Sequence, residues 1–158
     1  VVDTQIGRII FDERKEENPC SLCAKMRKGA LNNAAEELGC NKIALGHNKN
    51  DVIETFLMSL IFEGRISCFS PVSFLEKKKL YSIRPLIYVS EYETKSYADS
   101  LGSIIVKNPC PADGSTKRQE IKELLKTLNK TYPNLNQRIF GAVTRSLDDW
   151  KRGGVNGR

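Results

Sequence analysis

Two cysteines separated by two residues, Cys20 and Cys23, stand directly before a basic stretch of the chain. Two thiolates at this spacing can share one soft metal centre, and the other ligands must then come from elsewhere. The tripeptide Asn-Pro-Cys at residues 18–20 recurs at residues 108–110, which makes Cys110 a candidate third ligand. Three thiolates suit an iron-sulfur cluster with one iron that lacks a cysteine, or a zinc site completed by another ligand. A reduced cysteine pair that binds no metal is the alternative.

A second group of chemically capable residues follows a short apolar segment. Residues 42–46 are typical of a buried parallel strand, and they run into Gly46, His47 and Asp51 at the start of a helix. A loop of this kind lies at the carboxyl edge of a sheet, where α/β proteins bind nucleotides and where a helix N-terminus offers N–H donors. The alternative is that Asp51 and Glu54 only cap the helix and that the histidine fills a turn.

The remaining cysteines and the overall composition narrow the class of protein. Five cysteines in 158 residues do not resemble a secreted disulfide framework, and Cys40 and Cys68, beside apolar residues, are expected to be small buried hydrophobes. A net charge of +6 favours a polyanionic partner. No apolar run is long enough to span a bilayer, so we expect a cytoplasmic protein without a membrane partner.

The apolar periodicity predicts elements that alternate between helix and strand. Gly39, Gly64 and Gly102 are placed as helix ends, and Ser90 with Glu93 as a capping box. The predicted helices are 21–38, 52–62, 90–101, 115–128 and 135–147, the predicted strands are 42–46 and 104–106, and residues 65–83 are a loop or hairpin leading to a strand. This order predicts an α/β layer with a parallel sheet, followed by C-terminal helices.

Taken together, these motifs resemble a known family. Cys20-Ser21-Leu22-Cys23 before a basic helix, Ile43-Ala44-Leu45-Gly46-His47 with Asp51 and Glu54-Thr55, Ile83-Arg84-Pro85-Leu86, and Pro109-Cys110 occur in the order seen in the tRNA 2-thiocytidine synthetase (TtcA-like) family of PP-loop ATPases. The resemblance runs from about residue 17 to 150. It implies a partial PP-loop ATPase fold (adenine nucleotide alpha hydrolase-like), with a parallel sheet flanked by helices.

The resemblance also implies an activity and its residues. Members adenylate a tRNA cytidine with ATP and Mg²⁺ and then replace its oxygen by sulfur, using a [4Fe-4S] cluster and a sulfur donor such as a cysteine desulfurase. It assigns the cluster to Cys20, Cys23 and Cys110, and the nucleotide site to Gly46, His47, Asp51 and Arg84, with Asp51 and the three cysteines as the catalytic set. The basic residues expected near RNA are Lys25, Arg27, Lys28, Lys117, Arg118, Lys122 and Lys126.

The sequence departs from the family pattern in two places. The S-G-G-x-D-S loop that grips the ATP pyrophosphate is absent from these residues, and Asn50 replaces an acid that usually precedes Asp51. We therefore expect a fragment of a longer enzyme that is inactive by itself, with an exposed sheet edge that would allow it to form a homodimer. Its expected divisions are 1–111 as part of the ATPase domain, 112–150 as a helical segment and 151–158 as a tail. The alternatives are a zinc-stabilised RNA-binding module and a degenerate relative without catalysis.

Overall fold

The structure, a computed structural model, describes residues 1–15, 19–104, 106 and 108–151, with Lys151 described in its backbone only. Its helices are α1 (Ile6–Arg8), which continues into a π-helical turn (Ile9–Glu13), α2 (Pro19–Glu37), α3 (Lys49–Glu63), α4 (Glu91–Ser100), α5 (Lys117–Thr131), α6 (Leu135–Ser146) and α7 (Asp148–Lys151). Its strands are β1 (Lys42–Ala44), β2 (Val72–Leu75) and β3 (Leu80–Ile83).

The described strands form one sheet in the order β1-β3-β2. Central β3 runs parallel to β1, with Ile43 opposite Ser82, and antiparallel to β2, with Ser73 opposite the other side of Ser82. The predicted hairpin in residues 65–83 is therefore β2 and β3, joined by a turn in which Lys79 adopts a positive φ of 49°. The α/β class is confirmed, although the hairpin makes the sheet mixed and not purely parallel.

The predicted helices are confirmed, with ends shifted by a few residues. Gly64 takes a left-handed conformation at the end of α3 (φ 63°), as predicted, and Ser90 and Glu93 form the predicted capping box of α4. Pro19 begins α2, where its missing N–H costs nothing because the first N–H groups of a helix have no partner within that helix. The local signals for start and stop were therefore sufficient for most helices.

Two predictions near residues 104 and 151 have different outcomes. Ile104 and Val106, expected in a third parallel strand, lie outside any strand and are 92% and 84% exposed, whereas residue 105 lies outside the described residues. β-branched residues at a solvated position gain nothing from strand propensity, which depends on packing against neighbours. The predicted tail begins at Lys151, which the structure places in α7, and residues 152–158 lie outside the described residues.

Three groups of buried side chains hold the elements together, and α3 contributes to two of them. Val52 packs with Ile87, Val143 of α6 and Trp150 of α7, and we call these four residues the Val52 group. The neighbouring Ile53 packs on α5 and α6. The third group lies between α2 and the sheet. Its members are Ala35, Ile43 and Leu80, with Leu45 and Leu75 packed against them. Because adjacent residues of α3 face different groups, α5, α6 and α7 are packed together on this helix.

The two cysteines expected to be buried behave differently. The prediction is wrong for Cys40, which is exposed because Gly39 turns the chain at the surface (φ 66°) between α2 and β1. It is borne out in part for Cys68, which is half-buried, packs against the Val52 group and has its pKa raised to about 11 by burial. In the part of the chain that the structure describes, no helix is long and apolar enough to cross a membrane.

Candidate nucleotide site and the cysteines

The two neighbouring parallel strands deliver the site residues to one edge of the sheet. Gly46 and His47 follow the carboxyl end of β1, and Arg84 follows the carboxyl end of β3 directly. The backbone of this edge is fixed by hydrogen bonds from the Leu45 N–H to the Ile83 carbonyl (2.9 Å) and from the Arg84 N–H to the Pro71 carbonyl (3.1 Å). His47 and Arg84, far apart in sequence, are therefore brought together at this edge of the sheet.

One aromatic ring, Phe69, contacts both of these side chains. Its centroid is 4.8 Å from the imidazole centroid of His47 and 4.8 Å from the guanidinium carbon of Arg84. Phe69 itself packs against the Val52 group, so the ring has a fixed position. Arg84 also donates from Nη1 to the Ser70 carbonyl (2.6 Å) and to Ser73 Oγ (3.4 Å). The three side chains form a stacked unit that we call the His47–Phe69–Arg84 stack.

Two polar atoms of this stack are buried without a hydrogen-bond partner. They are Nδ1 of His47 and Nε of Arg84. A buried polar group without a partner costs free energy, and such groups are unusual enough to require an explanation. Both atoms belong to residues that follow the carboxyl ends of β1 and β3.

The surroundings of His47 disfavour its charged form. Burial lowers its pKa below 6.5, and the positive charge of Arg84 lowers it further, whereas Asp51 opposes these effects and Arg118 adds to them. The imidazole is therefore neutral at neutral pH, with one nitrogen able to donate and the other to accept a hydrogen bond.

The prediction that Asp51 caps α3 with Glu54 as its partner is wrong. The cap is Asn48, whose Oδ1 accepts from the N–H groups of Asn50 (2.8 Å) and Asp51 (3.2 Å). Asp51 occupies the third helical position and its Oδ2 accepts from the Asn48 N–H (2.9 Å), which completes a capping box. The physical reason is that the helix begins earlier, at Lys49, because the Lys49 N–H donates to the Val89 carbonyl (2.8 Å) and fixes the chain there.

Arg118 of α5 binds the first turns of α3. Its Nη1 is 3.2 Å from Asp51 Oδ1 and 2.7 Å from Glu54 Oε2, and its Nη2 donates to Thr55 Oγ1 (3.2 Å). Glu54 is only 3% exposed, and burial raises its pKa although Arg118 and Lys122 oppose the rise. Neither carboxylate oxygen of Asp51 is thus free of a protein donor in this structure.

The candidate cluster ligands are placed on two separate segments. Cys20 (exposed) and Cys23 (half-buried) lie in the first turn of α2, and Cys110 (half-buried) lies in the loop before α5. All are free thiols, so their donor type fits a three-cysteine cluster. Among the described residues, however, no group of three or more His, Cys, Asp or Glu side chains is arranged to hold a metal ion. The structure therefore does not bring the three thiols together.

The basic residues expected near RNA fall into two sets. Lys25, Arg27 and Lys28 of α2 are exposed, and no acidic partner is recorded for them within the described ranges. Arg118 and Lys122 instead form ion pairs with acids of α3 and α4, which makes them less available to phosphates. The first set is the better candidate for an RNA contact.

Sequence reasoning missed one residue of the site, Phe69, and the interaction of Arg118 with α3. The only signal for Phe69 was its place in the segment that precedes the hairpin, and a contact between residues 67 positions apart leaves no local pattern. Both become visible only when the strands and helices are assembled.

The mixed α/β sheet, with a Gly-His loop and an arginine at the ends of adjacent parallel strands, can be compared with a known domain, the PP-loop domain. A model of this domain matches residues 2–128. The chain belongs to the PP-loop domain family, which confirms the fold implied by the sequence resemblance.

Individual relatives are more specific. The chain is 37% identical over 139 residues to the tRNA-cytidine(32) 2-sulfurtransferase of Pelobacter propionicus, covering 86% of this chain and 52% of that protein. It is 42% identical over 129 residues to the enzyme of the same name from Dichelobacter nodosus, covering 81% and 48%. The chain thus spans about half the length of the curated relatives it matches.

A solved structure is also similar. The U34-tRNA thiolase NcsA from Methanococcus maripaludis, solved with its [4Fe-4S] cluster, matches with a TM-score of 0.67 and 30% identity, covering 85% of this chain and 45% of that one. The similarity to a tRNA-thiolating group, predicted from the motifs, is therefore confirmed.

Proposed function

We propose that this chain is part of an ATP-dependent tRNA thiolation enzyme that transfers sulfur to a cytidine. The observation that carries the proposal is the convergence of His47, Arg84 and Asp51 where β1 and β3 end, in a chain similar to tRNA-cytidine sulfurtransferases. In the proposed reaction the cytidine oxygen attacks the α-phosphorus of ATP and pyrophosphate leaves. A sulfur nucleophile then displaces AMP from the activated base.

The residues of the nucleotide site have distinct proposed roles. Arg84 keeps its charge when buried, and its unpartnered Nε is available to a phosphate oxygen. Neutral His47 contacts the same ligand through its unpartnered ring nitrogen, and the backbone at Gly46 admits the ligand to the strand end. Asp51 faces Mg²⁺ or the phosphates through the acceptor sites that remain on its two oxygens, each of which accepts from one protein donor in this structure.

Cys20, Cys23 and Cys110 are the proposed ligands of a [4Fe-4S] cluster. When bound, such a cluster would supply an iron without a cysteine ligand, on which the sulfur destined for the base can be held. The proposal requires the Cys110 segment to approach the first turn of α2, because the described structure does not gather the three thiols. The cysteines of α2 lie beside the exposed Lys25, Arg27 and Lys28, which we propose contact the tRNA backbone.

The proposed enzyme has further requirements that follow from the sequence. No S-G-G-x-D-S loop occurs in the 158 residues, so we expect these residues alone not to adenylate RNA without a loop of that kind supplied from elsewhere. A sulfur donor such as a cysteine desulfurase, a cytoplasmic location and a homodimer are parts of the same proposal. The division at residues 111 and 112 also stays a prediction.

The cluster can be tested on the chain itself. Protein purified and reconstituted without air is expected to turn brown and to hold about four irons and four sulfides per chain. Replacement of Cys20, Cys23 or Cys110 by Ser should abolish most of this loading. Cys40→Ser is the matched control, since Cys40 is a free thiol outside the proposed set, and it should load normally.

Other results would redirect the proposal. A colourless protein with about one tightly bound zinc would favour a zinc-stabilised RNA-binding module. A loaded cluster without thiolation of a cytidine-containing tRNA by the complete natural polypeptide would favour a degenerate relative. Protein that binds neither iron nor sulfide would exclude the cluster.

A further inference from the structure

A single guanidinium group joins α5 to the beginning of α3. Arg118 touches Asp51, Glu54 and Thr55, which lie on one face of α3 because they are three and four residues apart. The contact to Glu54, at 2.7 Å, is the shortest of the three. One planar side chain thus fixes two successive turns of the helix that starts at the nucleotide loop.

The carboxylate of Asp51 has its orientation set from two sides. Oδ2 accepts from the Asn48 N–H of its own capping box, and Oδ1 pairs with Arg118. Without Arg118 the carboxylate would keep only the local contact and could rotate about its side-chain bonds. The contact with Arg118 therefore fixes the orientation of the Asp51 carboxylate, which the capping contact alone would not do.

The neighbouring turn of α5 extends the same network to α4. Lys122 lies 3.8 Å from Glu54 Oε1 and 3.3 Å from Glu91 Oε1, and the Glu91 N–H donates to Asn50 Oδ1 (3.1 Å). Residues of α5 thereby contact the first turns of both α3 and α4. The network meets the proposed nucleotide site at Asp51 and extends from there to α5 and α4.

We propose that Arg118 is a positioning residue of the nucleotide site, which holds the Asp51 carboxylate and the first turn of α3 in register with His47 and Arg84. This inference rests on the proposed function of that loop. Arg118 acts through Asp51, and its contribution to a ligand is the geometry of that acid. Arg118 is therefore no longer counted among the residues expected to bind RNA phosphates.

The competing explanation is that Arg118 only neutralises the buried Glu54. A buried carboxylate that loses its partner is strongly destabilising, so Arg118→Met alone would weaken the fold under either explanation. The double substitution Glu54→Met with Arg118→Met separates them. It removes both charges and fills the volume with apolar side chains, a replacement that is often neutral or stabilising for a buried ion pair.

The test uses the complete natural polypeptide that carries these residues. Thermal unfolding, Mg-ATP affinity and hydrogen exchange at the backbone N–H of Asn48 are measured in wild type and in the Arg118→Met, Glu54→Met/Arg118→Met and Lys130→Met variants. Lys130 is the matched control, because it is a basic residue of the same helix that lies exposed in the last turn of α5, twelve residues after Arg118. We expect Lys130→Met to match wild type in all three measurements.

The double variant is expected to recover the stability of wild type but not its affinity for Mg-ATP. Its unfolding temperature returns to near the wild-type value, whereas Mg-ATP binds about tenfold more weakly, the effect of about one misplaced charge-assisted contact. The backbone N–H of Asn48 exchanges with solvent several-fold faster, because Arg118 of α5 no longer holds its acceptor, the Asp51 carboxylate, in place.

Recovery of both Mg-ATP affinity and Asn48 protection in the double variant would overturn the inference, since Arg118 would then serve Glu54 alone. If wild type binds no Mg-ATP, the proposed function of the loop is contradicted. The exchange rate of the Asn48 amide then decides the inference by itself, with unchanged protection in the double variant counting against it.

Discussion

The imidazole of His47 lies in surroundings that oppose its positive charge. Burial and Arg84 keep the pKa of His47 in the folded protein below its ordinary value of 6.5. Below about pH 6.5 the unfolded chain therefore binds more protons at this position than the folded one, and its contribution to stability decreases on acidification. We expect the free energy of unfolding to fall between pH 7 and pH 5.5 through this group.

This prediction can be measured directly because His47 is the only histidine in the chain. An NMR titration of its imidazole should give an apparent pKa below 6.5. The same pH series on His47→Gln should lose the part of the pH dependence that His47 causes, leaving that of Glu54, whose raised pKa acts in the opposite direction. A titration at or above 6.5 would contradict the buried, neutral histidine.

Single residues show where sequence reasoning is sufficient and where it fails. Asn48 with Asp51 and Asp51 with Glu54 both have capping-box spacing, so the local sequence offered two starts for α3. The choice is made by Val89 and Glu91, which bond to Lys49 and Asn50 from a distant part of the chain. Arg118 looked like one of several basic residues until its acidic partners were placed beside it.

The glycine at the end of α3 makes a second prediction. Gly64 has φ 63° and its N–H donates to the Ser59 carbonyl, which ends the helix in a left-handed turn. An alanine there places a Cβ in a disfavoured conformation, so Gly64→Ala should lower the free energy of unfolding by about 1 kcal/mol. Urea denaturation measures the change.

Gly29 provides the matched control for that substitution. It lies inside α2, and a Cβ built on it meets no atom within 4 Å. Gly29→Ala should therefore raise the free energy of unfolding by about 0.5–1 kcal/mol, since alanine is the better helix former. If the two Gly→Ala substitutions change the free energy of unfolding in opposite directions, backbone conformation and not side-chain size is the cause. Changes in the same direction would contradict the left-handed turn at Gly64.

Helices and strands were not equally predictable. α5 and α6 have apolar positions at helical spacing, and their predicted ranges agree with the structure within a few residues. The strand expected at residues 104–106 had suitable residue types, but strand formation needs a neighbour that sequence does not supply. The antiparallel direction of β2 likewise follows from the hairpin that joins it to β3. The turn residues of this hairpin were recognisable in the sequence, but the pairing of its two strands was not.

Assembly around α3 makes a prediction for the molecule as a whole. Ile53 is 1% exposed and packs with Ile121 and Leu125, whereas Ile61, on the same helix, is 50% exposed. Ile53→Ala should cost about 2–5 kcal/mol of unfolding free energy, through lost burial and the cavity left behind. Ile61→Ala should cost less than about 1 kcal/mol. Similar losses for both would contradict the assignment of α3 to the core.

The site was predictable in its parts and not in its assembly. The motifs identified the sheet edge because the carboxyl ends of parallel strands follow from strand order alone. The meeting of His47 and Arg84 through Phe69 depends on how the chain crosses from α3 to the hairpin. Whether Cys110 joins Cys20 and Cys23 depends on a loop whose position no periodic pattern determines.

Trp150, the only tryptophan of the chain, is 6% exposed and packs edge-on against Phe140 and Tyr88 within the Val52 group. Its intrinsic fluorescence is therefore an optical signal from the inner face of α3, the helix that begins at the nucleotide loop. A ligand that shifts α3 would change the emission of this indole without any attached dye. Trp150 itself lies in α7, so its fluorescence reports on the packing of α3 at Val52, the residue that follows Asp51.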